Sequence, residues 1–303
     1  MPNVSRDRRR SAAKCVGKSL ETGIASDGRQ GSPDMIEGIS EQARVLRGFA
    51  TDFLTSHDVA EVERIMDPDY SLSISGHLFQ GRDHDYLPAT RAQLEQFPGL
   101  VVTVHDTLIC EDAVAMRFTE HGVSIRNAGR AASWGGISLF ELKDGRLRHG
   151  WAEEDYFARK VQLASGQVNP IEAPAPAPWD QPCHAADPEA EEIVRRWLKS
   201  LTFLDDPGVV EIGVGNPGCR SVIGPAAIDI DTIFAGGGRA AFHCGIIGQY
   251  MGGFEGVGDD RIGSEMVLPV AGMVTLTDGV VSAAHICADR LGASRSLTSF
   301  KKG

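Results

Sequence analysis

Apolar residues recur at helical spacing from Gln42 onward, with Val45, Leu46, Phe49, Phe53 and Leu54 on one face, which predicts an amphipathic opening helix. A second short helix is predicted over 59–66, ending at Asp67-Pro68, and a third over 86–96, halted before Pro98. Residues 70–74 alternate as a strand does. Four more strands are predicted over 100–110, 113–122, 131–142 and 146–151, the last two joined at Lys143-Asp144-Gly145, where Asp-Gly supplies the positive φ of a hairpin turn. Helices first and a bent antiparallel sheet afterwards is an α+β pattern.

Residues 165–188 carry six prolines and read as a semi-extended linker between two domains, 39–164 and 189–298. Beyond it the pattern starts again: a helix over 189–201, then strands over 240–250, 262–276 and 280–288. The closing stretches repeat at a constant offset of 134: Asp144-Gly145, Trp151, Asp155 and Leu163 match Asp278-Gly279, His285, Asp289 and Leu297. Such a long period implies two copies of a domain, not a solenoid. Strand parity after each Asp-Gly turn groups Leu147, His149, Trp151, Glu153 and Asp155 on one face. The matching group is Val281, Ala283, His285, Cys287 and Asp289.

The formal charge of −11 argues against nucleic acid or an anionic membrane surface as the main partner, and no apolar run approaches the roughly 18 residues of a membrane helix. Residues 1–38 are polar, Gly/Ser-rich and aperiodic. They read as disordered, or as sequence upstream of a start at Met35, and the Arg6–Arg10 cluster is no secretory signal because no apolar stretch follows it. Six scattered cysteines without a CxxC fit reduced thiols in the cytoplasm. No metal-ligand spacing, dinucleotide loop, phosphate loop or nucleophile elbow is present, which leaves a pocket working without a metal or cofactor.

Several stretches resemble the SnoaL-like branch of the nuclear-transport-factor-2-like superfamily: Phe97-Pro98-Gly99-Leu100, 110–117, and Asp144-Gly145 with Trp151 and Asp155. In the second half, 248–256 is similar to the family's GTHxGxFxG turn. The resemblance spans roughly 40–164 and 187–298 and implies two cone-shaped α+β barrels, each a curved sheet around helices. The second copy is degenerate, with His285 where Trp is expected. In this superfamily dimers form through the outer sheet face. The resemblance therefore implies a homodimer, or a tandem pair that imitates one internally.

The resemblance also implies that Asp155 is a general acid/base, as in cyclases that close rings by intramolecular aldol chemistry. A carboxylate beside the Trp151 ring in a dry pocket would have its pKa raised toward neutrality. The competing reading makes Asp155 the N-cap of a final helix from Tyr156. On the neighbouring strand only one of Glu120 and His121 can face the pocket, and the apolar companions of Glu120 favour it. Arg117 would orient an anionic or phenolate substrate, and Tyr70, Tyr86, Trp134 and His105 are further candidates for the lining. His285 and Asp289 form the second-domain pair, some 13 Å apart along a strand unless the chain bends. The expected function is cofactor-independent C–C bond formation or cleavage in a hydrophobic aromatic or polyketide-like molecule. The alternatives are a non-catalytic binding protein and an epoxide-hydrolase-type enzyme using Asp112, Arg117 and Asp155.

Overall fold

The apolar stripe opens the fold as α1 (Glu41–Arg47) in the computed structural model, which describes residues 38–213 and 215–299. All but the last residue of the 1–38 tail lies outside the described residues. The Ser40 hydroxyl caps α1 by accepting from the Ala43 N–H at 3.1 Å. A wider, π-type turn over Gly48–Thr55 continues it, so Val45, Leu46, Phe49, Phe53 and Leu54 all bury. Next come α2 (Glu61–Ile65), β1 (Met66–Ile74), β2 (His77–Gln80) and α3 (Leu87–Gln96). β3 (Val101–Ile109), β4 (Ala113–Ser124), β5 (Arg130–Lys143), β6 (Arg146–Glu154) and α4 (Tyr156–Ser165) complete the first half. The sheet order is β2-β1-β6-β5-β4-β3, with β1 parallel to β6 and the other pairs antiparallel.

The second half contains α5 (Pro188–Lys199), β7 (Val209–Glu211), α6 (Cys219–Val222), β8 (Ile223–Gly236), β9 (Arg239–Tyr250), β10 (Glu265–Thr277), β11 (Val280–Ala288) and α7 (Arg290–Ser299). Its order is β7-β11-β10-β9-β8, with β7 parallel to β11. That is the order of the first sheet without β2. The sequence pattern missed β8, whose alternation of Ile228 and Ile230 with Asp229 and Asp231 is broken by register shifts at both ends of that stretch.

Each sheet wraps its own apolar core, and the outer faces of the two sheets pack on each other. Leu108, Ala115, Ile137 and Leu139 of the first meet Ala241, Ala271, Met273 and Cys287 of the second. The outer face of each sheet is thus covered in part by the other within the chain. Gly135 permits the approach, since a Cβ there would lie 2.5 Å from Ile212 Cγ2. The Pro-rich segment runs along β3. The Ala175 N–H donates to the Val104 carbonyl at 2.9 Å, and the His184 N–H to Ile109 at 2.9 Å.

Both Asp-Gly turns adopt the expected left-handed conformation, with φ of 51° and 70° at Asp144-Gly145 and 51° and 74° at Asp278-Gly279. The parity expected after them is corrected by a bulge. Leu142 pairs with Leu147 but Glu141 with His149, so Arg148 is an extra residue and every later side chain changes face. Leu147 faces the core, and then so do Gly150, Ala152 and Glu154; His149, Trp151 and Glu153 face outward. Ser282 is extra in the second copy in the same way. Among the described residues no helix is long and apolar enough to cross a membrane.

Candidate active site

The curved first sheet and its helices enclose a cavity of about 140 Å³. This is close to the roughly 150 Å³ of an engineered apolar cavity that admits benzene. Its apolar wall includes Phe49, Leu72, Phe79, Phe118 and Phe140. Its polar groups are Glu120 from β4, Glu154 from the end of β6, Tyr86, Thr90 and Gln93 from the α3 side, Ser138, and Tyr156 from α4.

Sheet register brings the two carboxyl groups together. Glu120 stands opposite Trp134, Phe118 opposite Gly136, and Gly136 opposite Glu154. Gly136 leaves room for both neighbours: a Cβ there would lie 2.7 Å from Phe118 Cζ and 2.9 Å from Glu154 Cγ. The Trp134 indole N–H donates to Glu154 Oε2 at 2.8 Å, and the Gln93 amide to Glu120 Oε2 at 2.8 Å. The Arg159 guanidinium lies over the Tyr156 and Trp134 rings, at 4.2 and 4.9 Å from their centroids.

Burial pushes both carboxyl groups above the usual range, and the negative charge of Glu154 raises Glu120 further. Arg159 and Trp134 favour the ionised form of both groups, joined by Gln93 at Glu120 and by Tyr156 at Glu154. Two neighbouring buried carboxyl groups disfavour double ionisation, so the pair holds a proton at pH values where an isolated carboxylate would be charged. A buried site holding one acid and one base can donate and accept protons at a single bound molecule.

The other sequence candidates are distributed differently. Tyr86 lines the cavity and Trp134 braces it. Tyr70 is buried behind Tyr86, their ring centroids 5.0 Å apart, and its hydroxyl has no hydrogen-bond partner. His121 lies on the opposite face of β4 from Glu120, 3.1 Å from the Thr103 hydroxyl. Trp151 packs edge-on against His149 outside the barrel. Asp155 does not face the cavity; it caps α4, accepting from the Ala158 N–H at 3.0 Å, and both its oxygens accept from the Asn216 amide. Asp289 caps α7 in the same manner, accepting from Gly292 N–H at 2.8 Å. Arg117, His105, Asp155 and His285 meet in a separate cleft between the halves. Asp112 is exposed in a turn, so the Asp112–Arg117–Asp155 arrangement is not assembled.

Sequence reasoning missed Glu154, Gln93, Tyr156 and Arg159. The signal for Glu154 was present in Gly150, Ala152 and Glu154 sharing parity, but the bulge at Arg148 hid which face was inward. Gln93 follows Tyr86, Ala89 and Thr90 along one helical face, and all four line the cavity.

A curved sheet closed by helices over a carboxylate-lined cavity makes the first half a cone-shaped α+β barrel. Residues 46–150 match the model of the SnoaL-like domain family. Similar solved structures include IdmH of Streptomyces antibioticus, a candidate polyketide cyclase, at 19% identity over 41% of this chain and 99% of its own, with a TM-score of 0.37. A candidate SnoaL-like polyketide cyclase from Jannaschia sp. CCS1 is 17% identical over 46% of this chain and 99% of its own, with a TM-score of 0.39. An M. tuberculosis LEH-like epoxide hydrolase is 19% identical over 42% and 92%, with a TM-score of 0.37. No curated protein gives a significant sequence match.

Proposed function

We propose that the chain is a cofactor-independent acid/base enzyme that forms or breaks a C–C bond by aldol chemistry in a hydrophobic, aromatic or polyketide-like molecule. The observation that carries this reading is the Glu120–Glu154 pair facing one ring-sized cavity. The Glu154 carboxylate takes the proton from the carbon next to a ketone. The resulting enolate carbon bonds to a second carbonyl carbon, whose oxygen takes the proton of Glu120 and becomes a hydroxyl. Transfer of the abstracted proton from Glu154 to Glu120 restores the pair, and the reverse sequence is a retro-aldol cleavage.

The second half is, on this reading, a tandem copy that has lost its site. The register positions of Glu120, Trp134 and Glu154 are held there by Ile246, Leu268 and Ala288, all buried and apolar. The first step is tested by following exchange of the methyl protons of acetophenone in D2O by NMR. Wild-type protein accelerates the exchange, and Glu154→Gln lowers that acceleration by about 10²–10⁴-fold. Equal acceleration by wild type and Glu154→Gln would remove the proposal.

A further inference from the structure

The two halves place a cationic residue at the same register position on their outer faces. In the first sheet the cross-strand row is Arg117, Ile137, Glu153; in the second it is His243, Ala271, Cys287. His243 is answered from across the interface: its Nε2–H donates to Glu153 Oε1 at 3.0 Å. The counterpart of Glu153 in the second sheet is Cys287, so β11 offers Arg117 a thiol position instead of a carboxylate. Facing Arg117 is a cleft of about 220 Å³, walled by Thr119, Trp134, Pro170, Ile212 and His285.

Arg117 is only 7% exposed, yet its buried Nε has no hydrogen-bond partner. Its two Nη groups donate at 2.5 and 2.9 Å to Glu172, whose side chain is 56% exposed and comes from the Pro-rich segment. The other carboxylates on the wall are engaged elsewhere. Asp155 is held by Asn216 and Ala158, and Glu211 by Arg290 and the Cys219 N–H. A buried guanidinium with a free donor, held by one solvent-exposed carboxylate, suits exchange of that carboxylate for another.

We infer that this cleft between the halves binds a small organic carboxylate, which displaces Glu172 from Arg117 and lays its apolar body against Pro170 and Ile212. The site is separate from the barrel cavity, with Phe118 lining both. The test is calorimetric titration of the full chain with sodium benzoate. Wild type binds benzoate, Glu172→Gln binds it about fivefold more tightly because the competing surface carboxylate is gone, and Arg117→Gln loses binding. A Glu154→Gln variant binds as wild type does. Benzoate affinity unchanged by Glu172→Gln, absence of binding by both wild type and Glu172→Gln, or binding abolished by Glu154→Gln would each overturn the assignment. The Glu172→Gln comparison stands even if Arg117→Gln fails to fold.

Discussion

His243 of the second sheet is clamped between two carboxylates, Asp231 of its own sheet at 2.7 Å and Glu153 of the first sheet at 3.0 Å. Where both carboxyl groups are ionised they only accept, so both ring nitrogens donate and the ring is an imidazolium. Burial alone would lower its pKa, but the bonds to Asp231 and Glu153 outweigh it and raise the value from 6.5 to about 9. Burial raises Glu153 from 4.5 to about 7, against the pull of His243. In both groups the folded state holds protons that the unfolded state has released, Glu153 between 4.5 and about 7 and His243 between 6.5 and about 9. The stabilisation is therefore present in full at low pH and is lost as pH climbs through these windows. Calorimetric melting should show stability falling from pH 5 to pH 9, with His243 contributing on the order of 3 kcal/mol. A Glu153→Gln, His243→Gln double variant should flatten that slope; an unchanged slope refutes the role of the pair.

Asp155 and Asp289 occupy equivalent strand-to-helix junctions, down to the backbone. The Asp155 N–H donates to Gly135 O at 2.8 Å and the Asp289 N–H to Pro269 O at 3.0 Å, acceptors that are again 134 residues apart. The repeated motif is therefore a device for ending a strand and starting a helix. Asp155→Ala should lower stability by about 1–2 kcal/mol, read from urea denaturation, while acetophenone exchange stays at the wild-type rate under native conditions. Loss of exchange with unaltered stability would instead return Asp155 to the chemistry.

The sequence made the α+β order, the hairpin turns and the duplicated pattern legible because each rests on local spacing. It also favoured Glu120 as the inward member of its strand, since Met116 and Phe118 share its parity. What it hid was long-range or one residue wide. The bulges at Arg148 and Ser282 invert parity without any turn residue to mark them. The pairing of Glu120 with Glu154 depends on two strands meeting across Gly136, a relation no periodicity carries. Trp151 lies outside the barrel for the same reason that Glu154 lies inside it.

Gly136 is required by that pairing, not by its backbone conformation. A Cβ at this position would also lie 3.1 Å from the Glu153 carbonyl oxygen, so the strand cannot simply shift toward β6. Gly136→Ala should cost about 1–3 kcal/mol through overpacking and move the Glu154 carboxyl group out of place. The check is denaturant unfolding alongside ketone exchange. Wild-type values for both would show that the cavity tolerates the methyl group.

The pH dependence of catalysis follows from the same pair. Glu154 works as a base only when ionised, and Glu120 as an acid only when protonated. Activity should rise as pH passes the pKa of Glu154 and fall as it passes that of Glu120, both limbs lying above the ordinary carboxylate range because both groups are buried. Glu120→Gln keeps the shape of the site but removes the group that carries the second proton. In that variant the alkaline limb should disappear while the acid limb stays in place, since Glu120 is already uncharged where Glu154 ionises. Arg159→Met should move the acid limb to higher pH, because the guanidinium helps hold the Glu154 charge. Rate profiles of ketone exchange for wild type and the two variants decide the matter: an acid limb unmoved by Arg159→Met would mean that Glu154 is not the base, and an alkaline limb that survives Glu120→Gln would remove Glu120 as the acid.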